Sequence, residues 1–202
     1  QDSLVGSEMC IRDRRKSHGC SWTNGLYLYS YIFYFYFLSD INISNDLEIK
    51  YMSDDLQIKI AQPDDFEKIG EIFDLYRQFY KKESNVEACK NYIKERLSNK
   101  EAQIFYIENE KECMGMTQLY TTFDSLELSK KIILYDLYVR SEYRNKGIGR
   151  MLMNAAKSFA EEKGVTSVEL STAITNKNAQ SLYESLNYQR DTEYYDYYLQ
   201  IK

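Results

Sequence analysis

Apolar and polar positions change period several times along residues 56–201, and each change marks an element. Leu56, Ile58 and Ile60 alternate, which predicts a first strand. Pro63 with Asp64 and Asp65 then opens a helix, since an early proline and an acidic first turn suit an N-terminus. Phe66, Ile69, Phe73, Tyr76 and Tyr80 follow three or four apart, giving that helix one apolar face. Ser84 or Asn85 caps a second helix, whose inner face is Cys89, Ile93 and Leu97. Residues 103–108, 113–121 and 131–139 read as three successive strands, the first two joined at Asn109, Glu110 and Lys111, and residues 123–129 read as a loop. Ile148, Leu152, Ala155, Ala156 and Phe159 return to helical spacing until Gly164 stops it. A strand over 166–171, a helix from Asn176 and strands at 188–191 and 195–201 complete the order, the last alternating as Tyr195, Tyr197, Leu199 and Ile201.

Residues 1–51 do not share this patterning. They hold His18, Trp22 and an aromatic run over 26–38 that is shorter than the ~20 residues a transmembrane helix needs. Arg12, Arg14, Arg15 and Lys16 precede the run as in a signal segment, but no small-residue cleavage site follows. The opening SLVGSEMCIRDR resembles a translated sequencing adapter, and the following Tyr-, Phe-, Ile- and Asn-rich residues resemble AT-rich DNA read in frame. The expectation is that residues 1–51 are a non-native or disordered leader, and that residues 52–202, starting at Met52, form one domain of common size.

Composition narrows the function classes. Net charge is -5 and no basic block exceeds Arg14-Arg15-Lys16, which argues against nucleic acid as a partner while leaving room for a local basic pocket. Beyond Met52 there is no His, and Cys89 and Cys113 stand far apart, so no metal site is expected. Two unpaired thiols suit a reducing cytosol, and the expected location is cytoplasmic, with no membrane association.

The chemistry gathers where the strand over 131–139 runs into Arg144, Asn145, Lys146, Gly147, Ile148, Gly149 and Arg150 and then into a helix. Glycines let the backbone approach a ligand, a helix start offers unpaired N–H groups at a positive dipole end, and the cations add charge. The turn therefore reads as an anion site for a phosphate or pyrophosphate. A dinucleotide fingerprint would need a third glycine where Leu152 stands, and no P-loop pattern occurs. What remains, Arg144-x-x-Gly147-x-Gly149, resembles the acetyl-CoA pyrophosphate loop of the GNAT superfamily of N-acetyltransferases. Asn176, Ala179, Leu182, Tyr183, Glu184 and Tyr188 resemble that family's second cofactor segment, in its order and at its usual separation. Asn187 departs from the family's glycine, although both residues tolerate the left-handed conformation that ends a helix.

The resemblance implies an α/β (α+β) GNAT fold, with a mixed, twisted central sheet of six to seven strands and helices on both faces. It implies an acyltransferase that moves the acetyl group of acetyl-CoA, a cosubstrate, to a primary amine of a small molecule, amino acid or protein by direct attack on the thioester. Homodimers are common in the superfamily. By the same resemblance the backbone from Asn145 to Arg150 takes the pyrophosphate, with Arg144 or Lys146 assisting. Leu137, Tyr138 and Val139 offer main chain to the pantetheine arm. Asn176 is a coenzyme contact or a plain N-cap. Tyr183 aligns with the tyrosine that protonates the departing thiolate, and a phenol with a pKa near 10 suits that task, although a packed helix-face Tyr is the alternative.

With no His beyond Met52, the base is a carboxylate or a water relayed by one. Asp136 interrupts an otherwise apolar strand, where burial should raise its pKa, and it is either this base or a structural acceptor. Gln118 and Tyr120 on the preceding strand are placed to face the same pocket. The aromatic positions from Phe73 to Tyr80 are expected to line the acceptor side, the part that varies most in the family. A catalytically silent acyl-CoA sensor would keep Arg144, Gly147 and Gly149 without needing Tyr183 or Asp136, and a pure interaction module would leave the glycine turn unexplained.

Overall fold

The computed structural model describes residues 56–201; the expectations for residues 1–51 and for a start at Met52 lie outside them. Among the described residues, nine strands and α-helices run in order: β1 (Lys59–Ile60), α1 (Phe66–Phe79), α2 (Val86–Ser98), β2 (Ala102–Glu108), β3 (Cys113–Asp124), β4 (Ser129–Val139), α3 (Ile148–Glu162), β5 (Val168–Glu169) and α4 (Lys177–Ser185). The sheet order is β1-β2-β3-β4-β5, antiparallel except for the parallel pair β4/β5. Only that last step needs a crossover, and α3 supplies it.

Period-2 alternation in β2 decides how the two faces are filled. Ile104 and Tyr106 point to the face covered by α1 and α2, where they join Ile69, Ile72, Ile93 and Met116. Phe105 and Ile107 point to the opposite face and pack with Ile132, Leu134, Ile148, Leu152 and Ala156 under α3. Both layers press close enough to exclude side chains at two glycines. A Cβ on Gly70 would lie 2.6 Å from Lys90 Cγ and 2.7 Å from Lys90 Cα, where α1 crosses α2, and one on Gly115 would lie 2.9 Å from Ile148 Cγ2.

The helices begin where sequence logic puts them. The Gln62 N–H donates to Asp65 Oδ2 at 2.8 Å ahead of α1, and Asn85, not Ser84, caps α2 through Oδ1 and the Ala88 N–H at 3.0 Å. Ser84 instead donates its hydroxyl to Asp74, which also accepts from the Asn85 N–H and from Gln78. This buried carboxylate ties the end of α1 to the start of α2.

Three expectations are corrected. Among the described residues the sheet has five strands rather than six to seven, because residues 188–191 and 195–201 form no ladder. Alternation states which side chains a strand would bury but provides no partner edge, and here Tyr195, Tyr197, Leu199 and Ile201 all stand at least 80% exposed. The strand expected over 166–171 is regular only at Val168–Glu169, although the Thr166 N–H also donates to the Lys130 carbonyl at 3.2 Å and the Ser167 carbonyl accepts from the Ile132 N–H at 3.0 Å. Finally, β3 and β4 extend into the expected 123–129 loop, with Phe123 opposite Lys130 and Asp124 opposite Ser129, since main-chain pairing continues past the last buried side chain.

One register shift matters more than the others. Gln118 pairs with Asp136 and Leu119 with Leu134, so Tyr135 is an extra residue on β4. A one-residue bulge flips every later side chain to the opposite face. Ile132 and Leu134 accordingly face α3, whereas Asp136 lies beside Gln118 and Tyr138 packs on the α1/α2 side.

Candidate active site

Strands β4 and β5 pair at Ile132 with Val168 and at Ile133 with Glu169, and their ladder then stops. Beyond that point a cleft of about 190 Å³ opens between the rest of β4 and residues 170–171. Leu134, Leu137 and Val139 line one wall and Leu170 and Ser171 the other. Tyr76 and Phe79 of α1 and Tyr80 just after it close one side, together with Tyr135 and Tyr138, while Asn176, Ala179 and Tyr183 close the side towards α4.

The main chain along this edge is partly unpaired by construction. The Arg140 N–H donates to the Met114 carbonyl at 3.0 Å, and Tyr138 pairs with Met116. Alternation then turns the N–H and C=O of Tyr138 and Asp136 towards β3, and those of Leu137 and Val139 towards the cleft. The Val139 carbonyl accepts from Arg144 Nε at 2.9 Å. Of the three residues expected to offer main chain, Tyr138 therefore differs: it contributes its ring, which lies 6.3 Å from Tyr76 and 6.4 Å from Phe79.

After β4 the chain turns through two left-handed residues, Asn145 (φ 61°) and Gly147 (φ 81°), before α3 starts. No atom lies within 4 Å of where a Gly147 Cβ would sit, so its requirement is the positive φ. Gly149 differs, because a Cβ there would lie 3.3 Å from Leu182 Cδ2 and 4.0 Å from Val139 Cγ2, letting α3 seat against α4. Ile148 is buried, so only its backbone is available to a ligand. The first hydrogen bond back into the helix is Met151 N–H to Gly147 C=O at 3.0 Å, which leaves the N–H groups ahead of it directed outward.

The cations beside this turn are held in different ways. The Arg144 guanidinium lies 5.5 Å from the Tyr138 ring and 5.7 Å from the Phe79 ring, and it lines the cleft. Lys146 lies over Tyr143, and Arg150 donates to Ser185 Oγ at 2.8 Å. Asn176 caps α4, accepting from the Ala179 N–H at 3.3 Å, and also lines the cleft.

Asp136 is 5% exposed, and burial pushes its carboxyl up to about 6, with hydrogen bonds from Tyr76 and Gln118 pulling in the opposite direction. It does not itself line the cleft; Tyr76, its hydrogen-bond partner, does. Gln118 Nε2 donates to Asp136 Oδ2 at 2.9 Å and to the Tyr120 hydroxyl at 2.7 Å, which in turn meets Tyr92 Oη at 2.9 Å. Gln118 Oε1 is buried with no protein partner. Tyr183 stands inside the cleft, and burial, with Tyr80 and Tyr188 nearby, pushes its phenol up to about 12. It is therefore protonated at neutral pH.

Cys113 is buried with its thiol pushed up to about 12 by desolvation, which leaves it a poor nucleophile. No group of three or more His, Cys, Asp or Glu among the described residues is disposed to hold a metal, and no helix among them is long and apolar enough to cross a membrane. Sequence reasoning had no signal for Tyr135, Leu170, Ser171 and Asn178 as lining residues. Their membership depends on the bulge and on where β4 and β5 part.

The family model described as acetyltransferase (GNAT) family matches residues 69–188. An uncharacterized N-acetyltransferase, YhfO of Bacillus subtilis, is 37% identical over 146 residues, covering 72% of this chain and 98% of that protein. A thialysine N-epsilon-acetyltransferase of Caenorhabditis elegans is 26% identical over 132 residues, covering 65% of this chain and 82% of its own. Among solved structures, a probable acetyltransferase superposes with a TM-score of 0.68 at 32% identity, covering 72% of this chain and 98% of that one.

Proposed function

This chain belongs to the acetyltransferase (GNAT) family and is an acyltransferase; from that premise we propose that it transfers the acetyl group of acetyl-CoA to a primary amine of a small molecule, amino acid or protein. The carrying observation is the cleft where β4 and β5 part, with Tyr183 inside it and a helix start with free N–H groups beyond Arg144 at its rim. The residues fit the coenzyme. Asn145, Gly147 and the first turn of α3 suit a pyrophosphate, with Arg144 adding a charge-assisted contact. The outward groups of Leu137 and Val139 suit an extended pantetheine arm, added as if it were a strand.

The thioester supplies an activated acyl carbon; the chain supplies position and protons. Asp136, ionised above about pH 6, draws the proton from the acceptor ammonium through Tyr76 or a water. Nitrogen then bonds to the acyl carbon as the carbon–sulfur bond breaks, and a main-chain N–H of Leu137 or Val139 steadies the oxygen as its charge grows. Tyr183 gives its proton to the leaving thiolate and regains one as the nitrogen sheds its second. The thialysine enzyme among the relatives supports an amine as the acceptor class.

Calorimetric titration of acetyl-CoA into the full chain, followed by thiol-release assays with amines, tests this reading. Micromolar binding with amine-dependent thiol release is the expected result. A folded protein that binds no acetyl-CoA sinks it.

A further inference from the structure

Rings dominate the acceptor side of the cleft, and charge there is scarce. Phe79, Tyr80 and Tyr135 line it while standing 46%, 43% and 66% exposed, an accumulation of exposed aromatic surface of the kind that marks a binding site. They are not loose. Tyr80 packs edge-on to Tyr76 at 5.2 Å, Phe79 edge-on to Tyr80 at 5.2 Å, and Tyr135 edge-on to Tyr120 at 5.6 Å. The rings are thus held in place before a ligand arrives, which lowers the cost of ordering them around one. Two observations concern charge. Among the described residues, the single cation lining the cleft is Arg144, already stacked on Tyr138 and Phe79, and no lining residue is Asp or Glu. The carboxylate of Asp136 is linked to the cleft through Tyr76, which lines it.

We infer that the acceptor is a monoamine carried on an aromatic or apolar body, and that Phe79, Tyr80 and Tyr135 are the specificity-determining contacts for that body. This rests on the acetyltransferase reading of the cleft. One buried carboxylate can balance one ammonium. A polyamine or an amino-sugar would bring further ammonium groups to a wall that offers no carboxylate and whose Tyr138 and Phe79 rings already carry Arg144, leaving the additional cations without a counter-charge. An aromatic monoamine instead places its ring among edge-on and stacked partners, the arrangement aromatic pairs favour.

The test uses the full chain with acetyl-CoA and follows thiol release with 2-phenylethylamine and tyramine against lysine, spermidine and an aminoglycoside. The expected result is kcat/KM for the aromatic monoamines at least ~10-fold above each of the others. Tyr135→Ala and Phe79→Leu should each raise KM for the aromatic amine by roughly 3- to 10-fold. Tyr135→Ala should leave the acetyl-CoA Kd from calorimetry unchanged, and circular dichroism checks that both variants fold. Turnover of spermidine, lysine or the aminoglycoside equal to or above that of the aromatic amines overturns the inference. So does acetyl-CoA binding without turnover of either aromatic monoamine. Absence of acetyl-CoA binding removes the underlying acetyltransferase reading instead, so the two failures are separable.

Discussion

Gln118 and Asp136 face each other across β3 and β4, the amide Nε2 donating to the carboxylate Oδ2 at 2.9 Å, one position beyond the bulge at Tyr135. The donor fixes one carboxylate oxygen and offsets part of the rise that burial imposes, leaving the carboxyl at about 6. If Asp136 is the base, kcat/KM should rise with pH to a plateau, with a midpoint near 6. Asp136→Asn should cost ~100- to 10,000-fold. Gln118→Leu should move the midpoint upward, because the lost hydrogen bond favoured the charged form. A pH–rate profile unchanged in Asp136→Asn would end this assignment.

The same carboxylate makes a stability prediction of definite sign. Its folded pKa lies above its unfolded value of 3.8, so its contribution is fully present below that value and is lost as pH rises through about 6. The shift corresponds to something on the order of 3 kcal/mol. Urea unfolding of Asp136→Asn should therefore show a gain over the parent at pH 8 that disappears near pH 4.

Asp74 should behave in the opposite way. Burial pushes its carboxyl up, but hydrogen bonds from the Asn85 N–H, Ser84 and Gln78 outweigh that and leave it below the usual range. Its contribution is present above the unfolded pKa and is lost as pH falls through the lower folded value. Asp74→Ala strands those donors around a 2% exposed site and should cost about 3 kcal/mol or more in chemical denaturation at pH 7, with a smaller loss in strong acid.

Tyr183→Phe separates catalysis from binding. The phenol is protonated across the neutral range, its pKa pushed up to about 12, so the parent's rate should show no fall from this group between pH 7 and 10. Removing the hydroxyl should lower kcat by ~100-fold or more while acetyl-CoA affinity in calorimetry changes little. A large loss of affinity with kcat retained would mark Tyr183 as packing only.

The glycines divide by mechanism. Gly147→Ala places a side chain in open space but strains a residue at φ 81°, so it should cost about 1 kcal/mol in stability and weaken acetyl-CoA binding. Gly70→Ala is far from the cleft, yet its Cβ would strike the Lys90 backbone. It should cost roughly 1–3 kcal/mol in thermal unfolding, with acetyl-CoA affinity unchanged in the folded fraction.

Much of this molecule was legible before any coordinates. The 3.6-residue spacing of Phe66, Ile69, Phe73 and Tyr76 gave a helix, and the β-branched and aromatic run of β4 gave a strand, because both signals are set by local backbone geometry. The turn from Arg144 to Arg150 was legible because positive φ, helix-start donors and cationic side chains are short-range requirements written in residue types. Asn176 and Tyr183 were picked out by the resemblance of their segment to the family's second motif.

Non-local relations were not legible. No local feature of residues 131–139 reveals that Tyr135 is a bulge, since its extra position exists only relative to β3; yet it decides which face Asp136 and Tyr138 occupy. The alternating residues 195–201 carried a strand signal without a ladder, because pairing needs an edge as well as a pattern. The sequence alone determined the helices, the central strands and the left-handed turn ahead of α3, which follow from short-range sterics and hydrogen-bonding capacity, while the family was carried by the resemblance of two motifs. Only tertiary packing decided where β4 and β5 part, which rings of α1 meet β4 across the cleft, and how deeply Asp136 is buried, because those depend on register and burial summed over residues distant in the chain.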